Sequence, residues 1–180
     1  PARPRLQTGG ICIKIETSRR AEKGDGMADS MITKQALAAS IKELMEREPL
    51  SKISVGDIAS NCGVNRQTFY YHFKDKYELV NWIYYTETVK LMSSFSDRAH
   101  WTDGLGALCR YMRDNKRFYI NALSTPGQNS FQEYLLEFAH GLVRSLAEEL
   151  LGESPISEED LEFIADFYAF AFVGLIMKWA

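Results

Sequence analysis

Apolar residues return at helical intervals along most of this chain. Leu37, Ile41, Leu44 and Met45 fall at i, i+4, i+7 and i+8 and stop before Pro49, which predicts a first helix with Thr33 as its cap. Val55, Ile58, Ala59 and Cys62 share one face of a short second helix that Ser54 can cap, and Ala59 is small where helices must cross closely. Gly63 follows, and glycine adopts the left-handed conformation that ends one helix and lets another start at a steep angle. Asn65 then caps a third helix, in which Phe69 and Phe73 are four residues apart and point inward. Asp75 and Glu78 have the spacing of a capping box and open a long fourth helix, which carries Trp82, Ile83, Tyr84, Tyr85, Val89 and Leu91 and runs to about Ser94.

The second half continues in the same period. Leu105, Leu108, Cys109 and Met112 mark one face of a helix from Trp101 to Asn115, and a further segment from Phe118 to Leu123 ends before a break at Pro126 and Gly127. Ser130 with Glu133 begins a longer helix carrying Phe131, Leu135, Phe138, Leu142, Leu146 and Leu150, stopped at Gly152. Ser157, followed by Glu158, Glu159 and Asp160, starts the last helix with negative charge at its positive end. That helix has two apolar stripes: Leu161, Ile164, Tyr168, Phe172 and Leu175 on one side, and Phe163, Phe167, Phe170 and Met177 nearly opposite. A helix apolar on two sides needs two partners, which predicts the domain's own core on one and a second copy of the chain on the other, the alternative being that the chain covers both itself. The apolar pattern is still running at Met177, Lys178, Trp179 and Ala180, so a last helix beyond them is expected to be missing.

One segment, Ile53 to Lys76, combines residue type, order and spacing into a specific act. Two short helices around a glycine turn form a helix-turn-helix, and the directions of the second helix not taken by Phe69 and Phe73 hold Arg66, Gln67, Thr68, Tyr70, Tyr71 and His72. A helix N-terminus presenting Asn65, Arg66 and Gln67 suits base edges in a major groove, while hydroxyls, the imidazole and Lys76 suit phosphate oxygens. Tyr70 can alternatively lie in the core with its hydroxyl at the surface.

In these residues the chain resembles the TetR/AcrR family of transcriptional regulators, on Ile58, Ala59, Gly63, Val64, Thr68, Phe69, Tyr70, His72, Phe73 and Lys76, over roughly Thr33 to Glu87. Within that family, NRQTFYYHFKDKYEL followed by NWIYYTE is most similar to regulators of dihydroxyacetone kinase operons. The resemblance implies an all-α fold, with an N-terminal three-helix DNA-binding domain carrying the helix-turn-helix and a C-terminal helical ligand-binding and dimerisation domain. It also implies phosphate contacts from Thr68, Tyr71, His72 and Lys76 and base contacts from Asn65, Arg66, Gln67 and Tyr70. Gly56, in the first turn of the first reading helix, departs from the pattern because it has no side chain to offer, which leaves Ser54 to reach the DNA backbone.

Charge adds a division of labour. The net charge is −3 over 180 residues, with six basic against three acidic residues in 1–26, eight against eight in 27–95, and seven against thirteen in 96–180. Residues 51–76 hold four basic and two acidic residues, a modest excess that predicts weak, salt-sensitive non-specific binding and hence a need for two copies on DNA. The domains expected are a tag or disordered leader at 1–26, the DNA-binding domain at 27–76 and the regulatory and dimerisation domain at 77–180. A basic arm entering the minor groove is the other reading of the leader. Cys12, Cys62 and Cys109 are odd in number and far apart, and the three histidines lack ligand-spaced companions, so neither a disulfide framework nor a metal site is predicted. There is no catalytic set, no cofactor motif and no membrane span in the sequence, which points to a cytoplasmic non-enzyme.

Two functions remain open at this point. One is a homodimeric regulator, usually a repressor, that binds a palindromic double-stranded operator and answers to a small-molecule effector. The other is a coactivator whose C-terminal half binds a dihydroxyacetone-kinase-like protein instead.

Overall fold

The computed structural model describes residues 24–89, 101–125, 130–152 and 156–180, and within these every regular element is helical. Residues 1–23 with Cys12, the expected continuation of the fourth helix to Ser94, and the break at Pro126 and Gly127 lie outside the described residues. The elements are α1 (Gly24–Met45), α2 (Val55–Asn61), α3 (Arg66–His72), α4 (Lys76–Tyr84) with a π-helical turn (Tyr85–Val89), α5 (Trp101–Asp114), α6 (Lys116–Leu123), α7 (Phe131–Leu151) and α8 (Glu158–Trp179).

Local chemistry sets most boundaries. Asn65, Ser130 and Ser157 each accept the third following backbone N–H, which satisfies one of the otherwise unpaired donors of a first turn. At Asp75 the carboxylate takes the N–H groups of both Tyr77 and Glu78, and Glu78 reaches back one residue further than a capping box requires, to Lys74 N. Gly63 (φ 76°) separates α2 from α3, and Gly152 (φ 56°) closes α7. Thr33 does not cap α1. The helix begins upstream, and the Thr33 hydroxyl donates to Asp29 O inside it.

Leu37, Ile41 and Met45 of α1, Ile58 of α2, Phe69 of α3 and Leu79 and Ile83 of α4 are buried together, and the same cluster continues through Tyr84, Tyr119, Phe131 and Leu135. One core therefore joins α2 and α3 to the second half of the chain. At about 1.5–3 kcal/mol for each large apolar side chain fully buried, it is the main force fixing α4 between the two. Tyr84 is its hub, edge-on to Tyr119, Phe131, Tyr134 and Phe138 at 5.3–6.3 Å between ring centres. Burial pushes the Tyr84 and Tyr119 hydroxyls well above the ordinary tyrosine range, and that of Tyr134 up to about 12. The Tyr119 hydroxyl has no partner among the described residues.

Polar contacts also bind the halves, among them an exposed ion pair of Arg117 with Glu46 at 3.7 Å. Lys42 Nζ of α1 meets both oxygens of Glu87 in the π turn at 2.6 Å, and Tyr111 of α5 donates to the same carboxylate. Asn121 of α6 accepts Leu50 N at 2.6 Å through Oδ1 and donates through Nδ2 to Met45 O at 3.0 Å and Glu48 O at 2.7 Å.

Helices α7 and α8 form the most extensive pairing. Here the stripe expected from large residues is displaced. The buried positions of α8 are Leu161, Ala165, Ala169 and Val173, facing Ala139 and Ala147 on the other helix, whereas Tyr168 and Leu175 are exposed. Alanines win the seam because the helices can approach closely there, and the larger side chains are turned outward. Cys109, expected on an apolar face, is also exposed. No helix among the described residues is long and apolar enough to cross a membrane.

Candidate nucleic-acid interface

Helix α3 is short, and Phe69 fixes its orientation: the ring is fully buried, edge-on to Tyr70 at 5.7 Å and tilted against Phe73 at 5.9 Å. With 3.6 residues per turn, Gln67 and Tyr71 fall opposite Phe69 and point straight out. Tyr71 is 75% exposed, and with Asn65, Gln67 and Thr68 it lines a shallow open depression of about 260 Å³. Four of the residues proposed for DNA contact thus share one surface. Tyr70, for which a core position was open, is 58% exposed on the flank of that surface.

The hydrogen bonds divide the remaining candidates by what they have left to give. Asn65 Oδ1 accepts Thr68 N at 2.8 Å and Thr68 Oγ1 at 3.1 Å, while its NH₂ group has no partner among the described residues. Ser54 and Asp57 form a reciprocal capping box at the start of α2: Asp57 N donates to Ser54 Oγ, and Ser54 N and Oγ both donate to Asp57 Oδ2, at 2.9 and 2.6 Å. The Ser54 hydroxyl proton is thereby committed within the chain. These bonds, first that of the Ser54 side chain, hold the Asp57 carboxyl below its ordinary range, with Arg66 adding to the effect. The sequence carries this signal as Ser-x-x-Asp.

Lys76 is differently placed from Tyr71. Its ammonium turns inward and donates to Leu50 O at 2.7 Å, Ile53 O at 2.7 Å and Ser51 O at 3.3 Å. An ammonium has three donors, so all are engaged with the loop between α1 and α2, and a phosphate would have to displace one of them. Burial lowers its pKa, partly offset by neighbouring Asp75.

His72 is half-buried and stands edge-on to Tyr71 at 4.9 Å. Burial, then the positive charge of Lys34, lowers its pKa from the usual 6.5. The folded state therefore binds a proton less readily than the unfolded chain, so stability is full above pH 6.5 and falls as pH drops through the window below it. A phosphate beside the ring would reverse the preference. With a phosphate beside the ring, operator affinity is expected to rise as pH falls, because His72 takes up a proton on binding, and His72→Gln to flatten that rise in a fluorescence-anisotropy titration.

Arg66, at the first position of α3, is exposed but lies against α2: its guanidinium sits where a Cβ on Gly56 would be. Nothing in the linear spacing of the two residues signals this contact.

A reading helix with a polar, hydroxyl-rich outer face and an aromatic anchor is the arrangement that docks in a major groove. Comparison with known proteins agrees. Residues 37–83 match the model of bacterial regulatory proteins of the tetR family, and residues 99–180 match a transcriptional regulator C-terminal region, also of TetR type. The chain belongs to the TetR family of transcriptional regulators. Both family models describe regulators, not enzymes. One relative is the HTH-type dhaKLM operon transcriptional activator DhaS of Lactococcus lactis subsp. lactis (strain IL1403), 37% identical over 93 residues, which are 52% of this chain and about half (50%) of that protein. The Transposon Tn10 TetC protein of Escherichia coli is 23% identical over 142 residues, covering 73% of this chain and 72% of that one. A solved structure, the dihydroxyacetone kinase operon activator DhaS, superposes with a TM-score of 0.59 at 27% identity, covering 82% of this chain and 84% of its own. The fold is TetR-like and all-helical, as the family predicts.

Proposed function

We propose that this TetR-family regulator binds a palindromic operator in double-stranded DNA as a homodimer, with one α3 in the major groove of each half-site, the two about 34 Å apart. The observation that carries this reading is the shared outward surface of Asn65, Gln67, Thr68 and Tyr71 opposite the buried Phe69. The dimer half of the proposal rests on α8, which leaves Phe163 (69%) and Phe167 (59%) exposed along with Phe170 and Met177, and borders an open groove of about 490 Å³ shared with α7. Large apolar residues exposed in a row mark a surface meant to be covered, and a second copy of α7 and α8 is the simplest cover. The chain would act in the cytoplasm, where its operator is.

Two inputs are open to the regulatory half, a small-molecule effector or a dihydroxyacetone-kinase-like protein. Among the described residues, Tyr119, Phe131 and Phe138 are packed on Tyr84, which supports a protein partner bound at the surface over an effector held among these rings. The DhaS relative is an activator, which is consistent with this chain activating a kinase operon.

The test is titration of the purified protein against DNA from its own upstream region at two salt concentrations, with and without dihydroxyacetone. Selective binding that is indifferent to the small molecule is expected, and release or strengthening by it would restore the effector reading. Tyr71→Ala is expected to weaken binding to all sequences, with the slope of log K against log salt unchanged because the cations are all still in place. Wild-type affinity in Tyr71→Ala and Gln67→Ala together would sink the docking model.

A further inference from the structure

Gly56 has no backbone reason to be glycine. Its φ is not positive, unlike those of Gly63 and Gly152, and it lies in the first turn of α2, where glycine costs roughly 1 kcal/mol relative to alanine. What distinguishes it is space. A Cβ there would fall 2.3 Å from Nη2, 2.6 Å from Nε and 2.8 Å from Cζ of Arg66, whereas Gly141 and Gly174 have nothing within 4 Å. The guanidinium plane therefore occupies the volume of the missing side chain and buries Gly56, while Arg66 itself remains exposed. Among the described residues none accepts a hydrogen bond from that guanidinium, so it is held by packing with its donors unspent. Arginine loses much rotamer freedom when it binds, and a seat that fixes the stem beforehand reduces that loss.

Resting on the operator reading above, we propose that Gly56 and Arg66 are one specificity element: the absence of a side chain at 56 seats the Arg66 guanidinium between the N-termini of α2 and α3, poised to donate to the major-groove edge of a guanine. Guanine presents O6 and N7 side by side, the acceptor pair a guanidinium matches in two parallel bonds. Gly56, which contributes no contact of its own, acts by positioning, and Asp57 beside it keeps a negative charge near the seat.

The experiment is selection of bound duplexes from a palindromic library randomised across each half-site, followed by sequencing, with the full chain as wild type, Gly56→Ala, Arg66→Ala and the double variant. The wild type is expected to enrich one guanine position per half-site. Arg66→Ala should lose that preference, a change of about ten- to a hundredfold in discrimination. Gly56→Ala should lower it by about tenfold without lowering the melting temperature, because only a flexible side chain is displaced. The double variant should equal Arg66→Ala, since the methyl acts only through the arginine. Full guanine preference in Gly56→Ala, or a further loss on adding Gly56→Ala to Arg66→Ala, would overturn the pairing while leaving operator binding intact. If the wild type enriches no sequence at all, the operator reading falls and the pairing with it.

Discussion

Lys76→Met is expected to destabilise the protein by about 2 kcal/mol while leaving the salt dependence of DNA binding unchanged. The ammonium donates to three carbonyls of the loop between α1 and α2, two of them at 2.7 Å. Hydrogen bonds from a charged donor contribute about 1.5–3 kcal/mol each in favourable cases, and the figure is set at the low end because the site is only partly buried and water can reach some of the freed carbonyls. Lys76→Arg should not rescue, because a planar fork cannot converge on three carbonyls as an ammonium does. Urea denaturation measures the first effect. The second decides between two roles for the residue. Removing a cation that neutralises a phosphate lowers the slope of log K against log salt by about one. An unchanged slope therefore identifies Lys76 as a clasp, and a lower one shows that it leaves its carbonyls to meet a phosphate.

Asn121→Ala should cost about 2–3 kcal/mol, because it strands the N–H of buried Leu50 and frees two carbonyls, Met45 O at the end of α1 and Glu48 O in the loop after it. Asn121→Asp is expected to be no better, since a carboxylate can still accept from Leu50 N but cannot donate to Met45 O and Glu48 O. Asn121 and Lys76 grip the same residue, Leu50, one at its N–H and the other at its carbonyl. Their effects should therefore not add: a double-mutant cycle in urea is expected to show coupling of at least about 0.5 kcal/mol, and strict additivity would mean that the loop is held at independent points. Asn121 belongs to the regulatory half and Lys76 to the start of α4, so the loop that leads into the reading helices is held from both sides.

The elements readable from the chain are those whose signals are local. Ser54, Asn65, Ser130 and Ser157 cap helices because a side chain there meets a backbone N–H three residues on, and Phe69 with Phe73 points inward because one turn of helix separates them. The helix-turn-helix and its outer face are legible for the same reason. The role of Lys76 is not, since its partners lie 23–26 residues back in sequence and only the folded loop brings them under its ammonium. Asn121 reaches 71 to 76 residues back, and no periodicity marks it. The seam of α8 escapes a reading that takes hydrophobic size as the sign of burial, because close helix approach selects alanine and turns Tyr168 and Leu175 outward. Arg66 is legible as a candidate base reader, but not its dependence on Gly56, which is a contact between two helices.

The alanine seam between α7 and α8 limits how the regulatory half can move. Ala139, Ala147, Ala165 and Ala169 have no rotamers to exchange, so with Leu161 and Val173 beside them, and His140 and Arg144 paired to Glu162 across the seam, few alternative packings are open to the two helices. Such a seam favours motion of the pair as one plate. Any displacement passed to the DNA must then be absorbed at joints whose partners can be traded for water, such as Lys42 with Glu87, Asn121 with the loop after α1, and Arg117 with Glu46. A signal received on the plate would be transmitted as a tilt about those joints rather than as a change of shape within it.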